Sequence, residues 1–235
     1  MTHPTSDLHL FEACLKAFND RKDAEVIQIA PPLTHSSDQK IREKSAEMLA
    51  TSLFSLADYA QSSTIWLALA EQTQNADHWL SAVTSSTMAR RYDEAQSAYE
   101  IGIKKFNERA EKLMQDGTPP MPGMNTAPLL MFYYAHALCD SGAPERALLL
   151  IDQFFQIFKS LVIPDTHYLL SGGMVPFSNF LGLVHKTIPL TPTQRDSATW
   201  HRLLSDLSLS LDSDGKTLLE MSLKDWGLER SNTER

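Results

Sequence analysis

The sequence predicts an all-α fold of stacked antiparallel helical hairpins. Three observations carry that expectation. Apolar residues recur with a helical period, while alternating apolar and polar runs are short. β-Branched clusters are scarce. Only 9 of 235 residues are glycine, about 4% against a usual roughly 7%, which leaves little room for tight β-hairpins or phosphate-cradling loops.

Caps and breakers divide the chain into about eleven helices. A first pair covers about 6–19 and 22–30 and is closed by Pro31-Pro32, because proline ends an intrahelical hydrogen-bond ladder. Ser36-x-x-Gln39 has the spacing of a capping box and opens a helix to about 57. Its partner spans about 61–74. Asn75 caps a helix to about 89, and Asp93-x-x-Gln96 starts a long one to about 114. Residues 115–126 hold three prolines and two glycines and form a loop. Pro128 then sits in the first turn of a helix to about 140, and Pro144 starts the next, to about 160. A second irregular stretch covers 163–175. Helices at about 176–187, 191–209 and 214–226 follow, the second opened by Thr191-Pro192 and the last stopped by Gly227. Residues 1–229 read as one domain, with a frayed tail at 230–235.

Composition restricts the function. Lys+Arg is 21, Asp+Glu is 29 and the net charge is -8. That sign disfavours nucleic acid and anionic membrane as partners, since each needs a basic face. No apolar run approaches the roughly 20 residues of a spanning helix. The first residues show neither a basic n-region nor an apolar h-region. With two well-separated cysteines, Cys14 and Cys139, read as reduced thiols, the expected setting is the cytoplasm, of a bacterial kind by general style.

Short helices joined by short turns suggest a repeat. From Trp79 the spacing gives Val83, Ser86, Ala95, Tyr99 and Gly102; from Met131 it gives Ala135, Leu138, Ala147, Ile151 and Phe154. These segments resemble the tetratricopeptide repeat, a helical hairpin whose small residues let two helices cross closely. Val83, Ser86 and Phe154 depart from its pattern. Ala60-Gln-Ser aligns with Ala95-Gln-Ser, and the turn alanines Ala24, Ala60, Ala95 and Ala147 recur after 36, 35 and 52 residues. A degenerate further copy is expected near Ser178, with Leu181-Gly182 in the small-residue slot and Ala198 where an aromatic belongs. The helix at 214–226 would cap the stack.

The resemblance implies an α-solenoid whose concave groove, lined by the first helix of each hairpin, binds a protein or peptide segment. Carried over by spacing, the groove positions are His9, Ala13 and Lys16, then Arg42, Ser45, Leu49 and Ser52, then Leu80, Thr84 and Thr87, then Phe132, His136 and Cys139. Leu80 and Thr84 stand where a carboxylate clamp would want cationic and amide groups, so that mode is disfavoured. The implied function is a non-catalytic adaptor, scaffold or chaperone-like module with no cofactor. A ligand- or peptide-sensing regulator, or an enzyme with a pocket under the 115–126 and 163–175 loops, is the alternative.

Further candidates have plainer readings. Residues 121–180 carry six charges, and the helices at 127–140 and 144–160 are apolar nearly all round. They form a central layer, or are covered by a partner or by a second copy docking on 129–162. Phe155 and Phe158, three apart, are expected to face different neighbours. His136 and Cys139 share a helix face, yet no second His/Cys pair accompanies them to complete a metal site. Asp93-Glu94 read as turn and cap residues, and Trp66, Trp79, Trp200 and Trp226 as core.

Overall fold

A computed structural model describes residues 4–118, 125–160 and 174–228. Among them there are eleven α-helices and no strand. They fall into two compact units, one ending at Lys105 and the other beginning at Phe106. The boundary lies within a helix. Residues 119–124 and 163–173 of the two expected loops and the 230–235 tail lie outside the described residues.

The first unit holds α1 (Pro4–Asn19), α2 (Asp23–Leu33), α3 (Gln39–Ser55), α4 (Tyr59–Thr73), α5 (Ala76–Met88) and the first part of α6 (Tyr92–Gln115). There α1 packs on α2 and α3, α3 on α2 and α4, and α4 on α5. One stop and one start differ from expectation. α2 runs through Pro31 and Pro32 to Leu33. The two prolines sit in its last turn, where they forfeit two N–H donors while their carbonyls still accept from Thr34 and His35. α3 is capped by Asp38, whose Oδ1 accepts from the Lys40 and Ile41 amides at 2.8 and 3.1 Å. Ser36 is instead buried, with its hydroxyl on Asp7 Oδ2 at 2.7 Å.

The turn inside each of four hairpins has one geometry. Arg21, Ala57, Arg90 and Gly142 all have positive φ. In each, the amide of the next residue donates back over five residues: Lys22 to Ala17, Asp58 to Leu53, Arg91 to Ser86 and Ala143 to Leu138, all at 2.9 Å. This is the Schellman arrangement, and the second helix starts two residues after the left-handed one each time. Seven residues before each left-handed residue stand Cys14, Ala50, Val83 and Ala135. Five after stand Val26, Ser62, Ala95 and Ala147. All eight are 0% exposed. In the second hairpin the meeting is direct: Ser62 Oγ donates to the Ala50 carbonyl at 2.8 Å.

That register corrects the alignment of the early turns. Ala24 and Ala60 are exposed, and Val26 and Ser62 take the buried positions. The crossing demands a side chain that fits, not alanine, so matching the letters Ala-Gln-Ser slips by two residues. The left-handed residues recur after 36, 33 and 52 positions.

The second unit contains the rest of α6, then α7 (Ala127–Ser141), α8 (Pro144–Ser160), α9 (Phe177–Thr187), a short 3-10 turn at Ile188–Leu190, α10 (Ser197–Ser208) and α11 (Ser213–Asp225). α9 packs on α7 and α8, α10 on α8, and α11 on α9 and α10. Phe154, Phe155 and Phe158 are 0–1% exposed. All three meet Phe180 of α9, at ring-centroid distances of 5.6, 5.2 and 5.0 Å. Phe155 and Phe158 thus share one neighbour, because Phe180 wedges between them. α9 of the same chain covers part of the apolar region that suggested a second copy, while Tyr133 and Leu149 stay exposed.

Thr191-Pro192 does not open α10. The amides of Gln194 and Arg195 close a turn onto Thr191 O, and Asp196 caps the helix by accepting from the Thr199 amide at 2.7 Å. Ala198 is exposed while Trp200 is fully buried, so the expected fifth register fails at its aromatic slot. Trp66, Trp79 and Trp200 are core. Trp226 is half-buried and stacks on His185 at 5.0 Å.

The turn geometry gives a test. A left-handed alanine is strained by about 1 kcal/mol and glycine is not. Ala57→Gly is expected to stabilise the fold by about 1 kcal/mol in denaturant unfolding. Gly142→Ala is expected to cost a similar amount, although nothing lies within 4 Å of the added methyl, so the loss is backbone strain alone.

Candidate functional site

The expected groove positions divide by burial. On α1, His9, Ala13 and Lys16 are exposed. On α3, Ser45 and Ser52 are 0% exposed and Leu49 8%, with Leu49 in the core cluster around Cys14, Val26 and Met48. Arg42 is partly exposed, but its guanidinium donates to the Ser36 carbonyl at 2.8 Å. On α5, Thr87 is buried and its hydroxyl donates to Val83 O, whereas Leu80 and Thr84 are partly exposed. In the second unit Phe132 and Cys139 are buried, and Cys139 Sγ lies 3.4 Å from Thr187 Oγ1 of α9. His136 is partly exposed against the Phe132 ring at 4.6 Å. Burial, and secondarily the nearby Lys186 ammonium, lowers the His136 pKa. Burial raises the pKa of both thiols, which are free. Among the described residues no group of three or more His, Cys, Asp or Glu is placed to hold a metal. No helix there is long and apolar enough to cross a membrane.

The first unit contains a cavity of about 370 Å³ between α4, α5 and α6, lined by Leu67, Glu71, Trp79, Asp93, Glu94, Ser97, Ala98 and Ile101. That volume is in the range of ligand pockets, roughly 300–1,000 Å³. Leu67, Trp79, Ala98 and Ile101 make its apolar surface. Glu71, Asp93 and Glu94 are exposed carboxylates. Trp79 is 3% exposed, and its indole N–H is buried without an acceptor. An unpaired buried polar group costs about 1–3 kcal/mol, and in the same unit the Ser45 and Ser52 hydroxyls are likewise buried without a partner. Glu94 also pairs with Arg91 at 3.5 Å, and Ser97 Oγ donates to the Asp93 carbonyl.

Sequence reasoning missed this constellation. It assigned Trp79 to the core and Asp93-Glu94 to a helix start, and both assignments remain correct as local structure. What brings them together is the packing of α4 beside α5 and α6, which needs the hairpin register to be known first.

The neighbour of Trp79 fixes α5 in place. His78 is 6% exposed. Its Nε2 lies 3.1 Å from Glu47 Oε1 on α3, and its Nδ1 lies 2.8 Å from Thr73 Oγ1 at the end of α4. The Thr73 hydroxyl has one proton, shared between Nδ1 and Leu69 O at 2.7 Å. When the Thr73 hydroxyl donates to Nδ1, Nε2 carries the ring proton and donates to the Glu47 carboxylate. The His78 hydrogen bond holds the Glu47 carboxyl below its ordinary pKa, burial opposes this, and Lys44 at 2.6 Å adds to the lowering.

Comparison with protein-family models, curated proteins and solved structures gives no match for the chain.

Glu47 makes that geometry testable. A carboxyl with a depressed folded-state pKa contributes stability above its unfolded value and loses it as pH falls through the folded one. Glu47→Gln is expected to cost about 1 kcal/mol at pH 7. Urea unfolding of both proteins should converge by pH 3. A gap that persists at pH 3 contradicts the ionised brace.

Proposed function

We propose that this chain is a non-catalytic protein-interaction module, built from hairpins similar to tetratricopeptide repeats, that binds a protein or peptide segment. One observation carries the reading. Four hairpins share a single turn geometry and a single pair of buried crossing positions, twelve residues apart in each. Repeating units of this kind present surface through their helices, not through loop-borne reaction centres. The acidic surface and the first unit's cavity give such a module something to hold with. Leu80 and Thr84 on α5, partly exposed, mark the side of the first unit where a bound segment would lie.

Photo-crosslinking from position 80 tests this, with a benzophenone amino acid replacing Leu80 in the full chain. The expected result is crosslinks to defined segments of partner proteins, lost when Thr84→Arg adds bulk and charge one turn away. The same crosslinks persisting at equal yield in the Thr84→Arg protein would overturn the reading.

A further inference from the structure

The buried His78 ring is placed to hold three helices with or without an added proton. It faces Glu47 of α3, whose second carboxylate oxygen takes the Lys44 ammonium, and the Thr73 hydroxyl and Trp66 ring of α4. Its neighbour on α5 is Asp77, in the first turn of that helix. The positive end of α5 opposes a cation at position 78, and the Glu47 and Asp77 carboxylates favour one.

Thr73 has the groups that both states need. Its Oγ1 lies 2.8 Å from His78 Nδ1 and 2.7 Å from Leu69 O, and accepts from the Asn75 amide at 3.3 Å. A hydroxyl has one proton to give and two lone pairs to receive. Beside a neutral ring that proton points at Nδ1, and Nε2–H donates to Glu47. In an imidazolium both ring nitrogens donate. Nε2–H stays on Glu47, and Nδ1–H now donates to Oγ1. The hydroxyl proton turns to Leu69 O, whose second lone pair is free of the helix ladder. The Asn75 amide keeps one lone pair of Oγ1 and Nδ1–H takes the other. Neither state leaves a ring nitrogen unpaired. The remaining form, a neutral ring with its proton on Nδ1, would set a lone pair against the Glu47 carboxylate. The lowered Glu47 pKa, due first to the His78 hydrogen bond, keeps that carboxylate ionised in mild acid.

We propose that Glu47, His78 and Thr73 form a proton-operated clasp. When the buried ring takes a proton from solvent, the Thr73 hydroxyl turns from Nδ1 to Leu69 O. The joint of α3, α4 and α5 then passes from a neutral ring to an imidazolium with every ring hydrogen bond kept. The clasp works whether or not a segment binds at α5.

The test is urea unfolding of the full chain at pH 8 and pH 5, the range over which imidazole gains its charge, with Thr73→Val and Thr73→Ser. Valine keeps the shape and removes the hydroxyl, while serine keeps the hydroxyl. An unpaired buried group costs more when it is charged, so valine harms the imidazolium state more. Relative to the unaltered chain, the folding equilibrium constant of Thr73→Val is expected to fall at least about fivefold further at pH 5 than at pH 8. The lost bonds to Leu69 and Asn75 weigh equally at both. Thr73→Ser is expected to stay close to the unaltered chain throughout. An equal loss at both pH values for valine, or a serine variant that behaves like the valine one, overturns the clasp. A second measurement covers a Thr73→Val chain that fails to fold. Nitrogen-15 shifts of the His78 ring, assigned through its backbone in the unaltered chain, should report Nε2–H alone at pH 8 and both N–H groups at pH 5. A proton on Nδ1 at pH 8, or a ring still neutral at pH 5, overturns the clasp.

Discussion

Close approach of two helix backbones inside each hairpin is the constraint on which the rest depends. Helices pack at 8–10 Å, and the spacing at the contact is set by the side chains trapped there. In this chain the equivalent positions are Cys14 and Val26, Ala50 and Ser62, Val83 and Ala95, and Ala135 and Ala147, all fully buried, with Ser62 bonded to the Ala50 carbonyl. Larger residues would splay the helices and open the apolar flanks. Each pair lies twelve residues apart because the turn between is always the same. A left-handed residue reverses the chain, and a back-reaching amide closes the first helix. Three of the four left-handed residues are not glycine, which is how a chain so poor in glycine still makes tight helical reversals.

Polar groups buried beside those crossings are handled in two ways. Some pair with each other across helices, as Ser62 with Ser85 at 3.1 Å and Ser63 with Ser86 at 2.7 Å. His78 joins three helices at once through Glu47 and Thr73. The hydroxyls of Ser62, Ser63, Ser85 and Ser86 are small enough to sit at a close contact and still pair, so these interfaces stay thin without becoming purely apolar, whereas the buried Ser45 and Ser52 hydroxyls have no partner among the described residues. In the second unit the packing is different in kind. One aromatic, Phe180, gathers three phenylalanines from α8, and the low charge of that region follows from this cluster and from α9 lying over α7.

Much of the helical layout was legible. Asn75, Pro128, Pro144, Gly142 and Gly227 mark helix ends because each has a local conformational reason to be there. Signals that failed were those with a competing local solution. Ser36 carries the cap spacing, but Asp38 lies closer and binds more strongly as a charged acceptor. Pro31 and Pro32 come so late in α2 that breaking its ladder costs little. Thr191 found a turn instead of a helix. Leu49 and Phe132 were carried over as groove residues by spacing alone, and spacing does not say which neighbour covers them. The cavity was invisible for a related reason: its carboxylates and its tryptophan come from three helices, and no pattern on any one helix joins them.

The register of the second hairpin separates the structural account from the alignment of letters most cleanly. The measurement is denaturant unfolding of two variants, Ala60→Leu and Ser62→Leu. Overpacking a buried crossing costs about 1–3 kcal/mol, and an exposed change stays within about 0.5 kcal/mol. The account predicts a marked loss for Ser62→Leu and almost none for Ala60→Leu. A marked loss at position 60 with position 62 tolerant would contradict it.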